Sequence, residues 1–210
     1  MTQPPRRAAP SKANPPGGQR THEVRSVGAG SLLMVRHAQP LIDKGICYGQ
    51  LDVKANQLET QKCAEMLKNA LPQGAYLFTS TLQRCELLAP VLIGLRPDLA
   101  YKKDARLQEM NFGQWEGCPW ANIDPAELAA WTDDFAHYRA GGTGESVTQF
   151  MTRVAAAFDE LDPSRDTVWI THAGVIRAAA MLAQGIRHIS RADQWPADAP
   201  AYGQWCKLEF

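Results

Sequence analysis

Ser31-Leu32-Leu33-Met34-Val35-Arg36-His37-Ala38-Gln39-Pro40 is an apolar run that stops at a basic pair and a proline. Four consecutive apolar residues ended this way read as a strand buried on both faces, the pattern of a parallel sheet. A second stretch ends in the same manner: Thr167-Val168-Trp169-Ile170-Thr171 passes into His172-Ala173-Gly174 and then into a helical run over 175–182. Open parallel sheets bind ligands beyond the carboxyl ends of their strands, so His37 and His172 can converge although they are far apart in the chain.

Working outward from these two strands, helix and strand patterns alternate. The spacing predicts strands over 31–36, 75–79 and 167–171, and helices over 57–70, 81–95, 145–161 and 174–184. Such alternation predicts a three-layer α/β fold, a mostly parallel central sheet with helices on both faces. Phe150, Val154, Phe158 and Leu161 form one apolar stripe of the 145–161 helix, which Pro163 ends. Asp124-Pro125 marks a helix start with Leu128, Trp131 and Phe135 on its apolar face, so 118–141 reads as a helical excursion and a possible lid. Residues 202–210 read as a last strand at a sheet edge, antiparallel to its neighbour. Residues 1–30, rich in proline and glycine, read as a disordered extension to a domain over 31–210.

Composition narrows the function. Lys plus Arg and Asp plus Glu number 22 each, so net charge gives no case for nucleic acid or membrane as a partner, and any basic site must be local. Five cysteines, scattered and never in a C-x-x-C arrangement, suit reduced thiols better than a disulfide framework or a zinc site. No apolar stretch approaches the roughly 20 residues of a membrane span, and no secretory signal precedes the domain, so the expected location is cytoplasmic.

Four segments carry candidate chemistry: Arg36 and His37; Ser80-Thr81-Leu82-Gln83-Arg84; the loop 107–117 with Glu109; and His172 with Gly174. Together they offer what phosphoryl transfer needs, namely a nucleophile, cationic donors for three equatorial oxygens, and an acid for the leaving group. Ser80 is placed to cap a helix whose first turn holds Arg84, next to a positive dipole end. No C-x5-R loop, phosphate-binding G-x-x-x-x-G-K-[ST] or dinucleotide glycine motif competes, and arginines beside the site disfavour a bound metal.

On these residues the chain resembles the histidine phosphatase superfamily, branch 1, also called phosphoglycerate mutase-like. The matching motifs are Arg36-His37-Ala38, Ser80-x-x-x-Arg84, Glu109 with the run Phe112 to Gly117, Gly144-Glu145-Ser146, and His172-Ala173-Gly174-Val175-Ile176-Arg177. The resemblance implies that His37 attacks phosphorus and becomes phosphohistidine. It implies that Arg36, Arg84 and His172 hold the phosphoryl oxygens, and that Glu109 protonates the leaving alkoxide, without cofactor or metal. Glu116 is a weaker acid candidate, and Arg177 is expected to lie out on the following helix, beyond the groups that touch phosphate.

The chain departs from the family pattern at three places. Ala38 stands where glycine is usual, Gln39 with Pro40 replaces the usual Glu and Thr, and Cys85 occupies a position where alanine is common. The loop 45–52 is similar to that of α-ribazole phosphatases, which suggests α-ribazole 5′-phosphate as one substrate. Gln39, Tyr48 and Gln50 are candidates for the substrate side, and Trp115 could join them. Three readings stay open: a small-molecule phosphomonoesterase, a phosphoglycerate mutase, and a non-catalytic phosphate-binding module. Oligomeric state is not fixed by the sequence.

Overall fold

The computed structural model describes residues 30–210, so all of the expected N-terminal extension except Gly30 lies outside the described residues. Five strands form one sheet in the order β3-β2-β4-β1-β5. β1 (Ser31–Arg36), β2 (Tyr76–Thr79), β3 (Tyr101–Lys103) and β4 (Thr167–Thr171) run parallel, and β5 (Trp205–Glu209) pairs antiparallel with β1 at the edge. Alternation along β1 builds two cores: Leu32 and Met34 face one, Leu33 and Val35 the other. α1 (Gln57–Ala70) and α3 (Leu88–Leu95) cover the second face, while α5 (Val147–Phe158) and α6 (Ala173–Ala183) cover the first. This is the expected three-layer α/β arrangement with one antiparallel edge.

Local chemistry sets the helix ends. Ser146 caps α5 in a reciprocal box with Gln149, satisfying two backbone donors. The predicted stripe holds through Phe150 and Val154, both fully buried, but the helix stops at Phe158, so Leu161 packs from the turn beyond it. Asp124 caps α4 (Pro125–Asp133), with Pro125 in the first turn where a missing N–H costs nothing.

The helix expected over 81–95 is two helices, α2 (Gln83–Glu86) and α3. Pro90 is the physical reason. A proline ring collides with the carbonyl four residues earlier, here Glu86, where α2 ends. β3 went unpredicted because Tyr101-Lys102-Lys103 has no apolar pattern; it is a short edge strand whose partner is β2.

Within 118–141 the chain makes a short 3-10 turn, Trp120–Asn122, and then α4. Trp131 stacks on Trp120 at 6.5 Å between ring centroids, and both meet Phe112 edge-on. In this structure the excursion is an aromatic wall packed on the first core. No described helix is long and apolar enough to cross a membrane.

Candidate active site

β4 lies between β1 and β2, so three strand ends stand side by side, with Arg36 opposite Thr171 and Thr79 opposite Ile170. His37, Ser80 and His172 each come one residue later. Two further backbone bonds extend the ladder past the strands, from His37 N–H to Thr171 O at 3.0 Å and from Ser80 N–H to Ile170 O at 2.9 Å. The three side chains are therefore placed by sheet hydrogen bonding rather than by a free loop.

His37 is buried, and its Nδ1–H donates to its neighbour's carbonyl, Ala38 O, at 2.8 Å. That bond fixes the tautomer and leaves the Nε2 lone pair available. Burial, together with the charges of Arg84 and Arg36, holds the imidazole down at about 3. The His172 ring lies 5.1 Å away, fully buried, with its Nε2 2.8 Å from Ser80 Oγ. Burial first, then Arg84 and His37, keep it well below its ordinary value.

Ser80 does not take the cap position as expected. α2 begins at Gln83 with Leu82 at the cap, and the Ser80 hydroxyl accepts from Leu82 N–H at 3.3 Å while meeting His172 Nε2. The start of α2 is met from another loop, where Asp52 accepts from Gln83 N–H at 2.7 Å and from its side-chain amide at 2.9 Å.

Both arginines are held by main-chain carbonyls. Arg84, fully buried, donates to Leu51 O at 3.0 Å and to Gly49 O; Arg36 donates to Pro200 O at 2.9 Å. Each keeps a buried Nε with no protein partner. Buried N–H groups are almost always paired, so two neighbouring orphans beside a free imidazole nitrogen mark a place for an oxyanion.

Two tyrosines complete the arrangement. Arg36 lies 3.9 Å over the Tyr202 ring and Arg84 5.2 Å over the Tyr48 ring, while the two hydroxyls meet at 2.8 Å. Tyr202 also stands 5.5 Å from the His37 ring. Sequence reading missed it. The signal was the antiparallel last strand, which brings the turn before β5 beside Arg36; Gly203 N–H bonds both Arg36 O and His37 O at 3.1 Å.

Glu109 completes the cleft. Its Oε2 accepts from Gly174 N–H at 3.0 Å and its Oε1 from Met110 N–H at 3.1 Å. Arg153 holds the loop in place by donating to Arg106 O, Gln108 O and Glu109 O and forming a bidentate pair with Glu145. The cleft, about 160 Å³, is lined by Arg36, His37, Tyr48, Glu109, Phe112 and Trp120 among others.

Other expected residues fall elsewhere. Gln39 is exposed and lines a separate groove beyond Tyr202. Gln50 lies behind the cleft, its side chain bonding Glu109 O and Asn111 and so tying down the loop that carries Glu109. Trp115 is buried in the aromatic wall, its indole N–H bonded to Glu127, so it does not line the leaving-group side. Glu116 is a staple, accepting from Gln50 N–H at 2.7 Å and Phe112 N–H at 2.9 Å. Cys85 is buried 3.4 Å from His172 Nε2, and burial pushes its thiol up. Arg177, on α6, lines a second cavity that it shares with Glu109. Among the described residues no three His, Cys, Asp or Glu side chains group to hold a metal.

The family model of the histidine phosphatase superfamily, branch 1, matches residues 32–210. A glucosyl-3-phosphoglycerate phosphatase of Mycobacterium tuberculosis is 31% identical over 184 residues, covering 79% of this chain and 78% of the relative. A putative phosphoserine phosphatase 2 of Hydrogenobacter thermophilus is 27% identical, covering 74% of this chain and 79% of the relative. Among solved structures, the native mycobacterial glucosyl-3-phosphoglycerate phosphatase superposes with a TM-score of 0.69 at 29% identity, over 86% of this chain and 90% of the other. A protein of Thermus thermophilus gives 0.64 at 27%, over 86% and 94%. The chain belongs to branch 1 of the histidine phosphatase superfamily.

Proposed function

We propose that the protein hydrolyses a small-molecule phosphomonoester through a phosphohistidine on His37. Family membership and relatives named as phosphatases make it a phosphoester hydrolase; the covalent route and the role of each residue are the proposal. One observation carries it: a neutral imidazole with a free Nε2 beside two carbonyl-anchored guanidinium groups whose buried Nε–H donors have no partner.

In the first step His37 Nε2 forms a bond to phosphorus as the ester P–O bond breaks, and Glu109 gives its proton to the departing alkoxide. Arg36, Arg84 and His172 face the equatorial oxygens and stabilise the charge that develops on them. In the second step a water attacks phosphorus, the Glu109 carboxylate takes its proton, and the P–N bond breaks to release inorganic phosphate and neutral His37. With carbonyls rather than carboxylates gripping the two arginines, the site keeps its positive charge for the dianion.

The similarity of loop 45–52 keeps α-ribazole 5′-phosphate as one substrate to assay, and the relatives named above add glucosyl-3-phosphoglycerate and phosphoserine. Rapid-quench trapping of a labelled, acid-labile and base-stable phosphoenzyme tests the route, together with phosphate release from this panel. His37→Ala is expected to abolish both. Isomerised product without phosphate release would make the protein a mutase, and binding without either would make it a phosphate-binding module.

A further inference from the structure

Arg36, Arg84 and Arg177 are the arginines among the described residues whose Nε is buried without a partner. Arg36 lines the phosphate cleft, and Arg84 lies over the ring of Tyr48, which lines it too. Arg177 lies on α6, one turn past Gly174, and lines a second cavity of about 420 Å³ that shares Glu109 and Phe112 with the cleft. Six other arginines, Arg96, Arg106, Arg153, Arg165, Arg187 and Arg191, pair with carboxylates; Arg177 has none within ion-pair distance among the described residues. Its one protein acceptor is Ala197 O at 2.7 Å.

We infer that this cavity receives the leaving group, and that Arg177 selects phosphomonoesters whose alcohol carries a carboxylate. This rests on the proposed function, because Glu109, where the leaving oxygen would be protonated, forms the wall common to both cavities. A group bonded to that oxygen finds Glu109 and Phe112 on one side, and the cavity beyond them holds Arg177, Trp131 and Trp195. The Trp131 indole N–H is a second buried donor there without a partner.

Charge fits the same occupant. Burial, with Arg36, lowers Arg177 from its ordinary value, while Glu109 and Asp198 act the other way. A half-buried cation lacking a paired anion gains when a ligand supplies one. One guanidinium between aromatic walls suits a monoanionic carboxylate with bidentate geometry. A second phosphate dianion would call for several cations, as the His37 cleft provides.

The test uses paired substrates and wild-type, Arg177→Met and Arg177→Lys proteins. O-phosphoserine is paired with O-phosphoethanolamine, and 3-phosphoglycerate with glycerol 3-phosphate; each pair differs at the carboxylate. Wild type is expected to favour the carboxylated member by roughly 10- to 100-fold in kcat/KM, the range of a charge-assisted hydrogen bond. Arg177→Met should bring each ratio to within about twofold of one, and Arg177→Lys should keep part of it. The ratio is internally normalised, so a purely structural defect that lowers both rates leaves it in place. A wild-type ratio near one, or a ratio unchanged in Arg177→Met, overturns the assignment. So does an Arg177-dependent preference for fructose 1,6-bisphosphate over fructose 6-phosphate, which would make the subsite a phosphate site. Failure to release phosphate from any of these esters or from p-nitrophenyl phosphate would instead sink the hydrolase mechanism itself.

Discussion

Gly174 donates its backbone N–H to Glu109 Oε2 at 3.0 Å, and the carboxyl group of Glu109 occupies the space where a side chain at position 174 would begin. Gly174→Ala is therefore expected to push the Glu109 carboxyl group off its donor. Alanine favours a helix over glycine by about 1 kcal/mol, so the melting temperature should hold while turnover of alkyl phosphates falls by roughly 10- to 100-fold, part of the 10² to 10⁴ that a general acid contributes. Unchanged steady-state rates on alkyl phosphates would contradict the placement.

Removing the proton itself is the more direct probe. Glu109→Gln should slow esters with poor leaving groups, such as alkyl phosphates, by about 10² or more, and slow p-nitrophenyl phosphate far less. Equal losses across a leaving-group series would refute the acid role.

The tyrosine pair offers a graded change. Tyr202→Phe breaks the 2.8 Å hydroxyl contact with Tyr48 but keeps the ring under Arg36. Tyr202→Leu removes the ring as well. Cation–π contacts contribute roughly 0.5–2 kcal/mol, so inhibition by vanadate should weaken by about 2- to 30-fold in Tyr202→Leu and less in Tyr202→Phe. Identical inhibition constants in all three proteins would mean that the pair does not position Arg36.

The histidines also make a pH signature. His37 is held at about 3 by burial and two arginines, and burial depresses His172 as well. With folded values below the unfolded value of about 6.5, the native chain refuses protons that the unfolded chain accepts. This stability is complete above about pH 6.5 and is lost as pH falls toward the folded values, by up to roughly 1.4 kcal/mol per pH unit for each histidine. Urea midpoints measured from pH 7 to 4 should fall, and less steeply in His37→Asn; parallel profiles would count against a depressed His37. Initial rates should show no loss centred on pH 6.5 that tracks nucleophile protonation.

Arg153 joins α5 to the loop carrying Glu109, through three carbonyls and the Glu145 carboxylate. Breaking a buried pair costs about 3–5 kcal/mol; with both side chains about one-fifth exposed, Arg153→Met should cost somewhat less. Denaturant titration gives the loss, and alkyl phosphates should again suffer more than p-nitrophenyl phosphate. A stable variant with normal leaving-group dependence would remove Arg153 from the support of Glu109.

The strand ends at His37 and His172 were legible because buried parallel strands are continuous apolar runs, and their chemistry sits where the run stops. Arg84 and Glu109 were legible as residue types in a pattern, not as geometry. What escaped the reading depended on tertiary partners. Tyr202 reaches the cleft only because β5 pairs with β1; Ser80 meets His172 across the sheet, while Asp52 reaches the start of α2 from another loop. Trp115 looked like a lining residue, yet Trp120, Trp131 and Tyr138 gather it into the wall. The split at Leu87 was readable from Pro90, whose ring forbids the bond that a single helix over 81–95 would need.

The carbonyl anchors of Arg36 and Arg84 have a consequence after the chemistry is over. Leu51, Gly49 and Pro200 orient the two guanidinium groups with neutral dipoles, so nothing in their grip cancels the charge. Inorganic phosphate offers the same kind of oxygens as a phosphomonoester, and it would meet the same waiting donors. A site built this way has no charge-based means of telling its product from its ester.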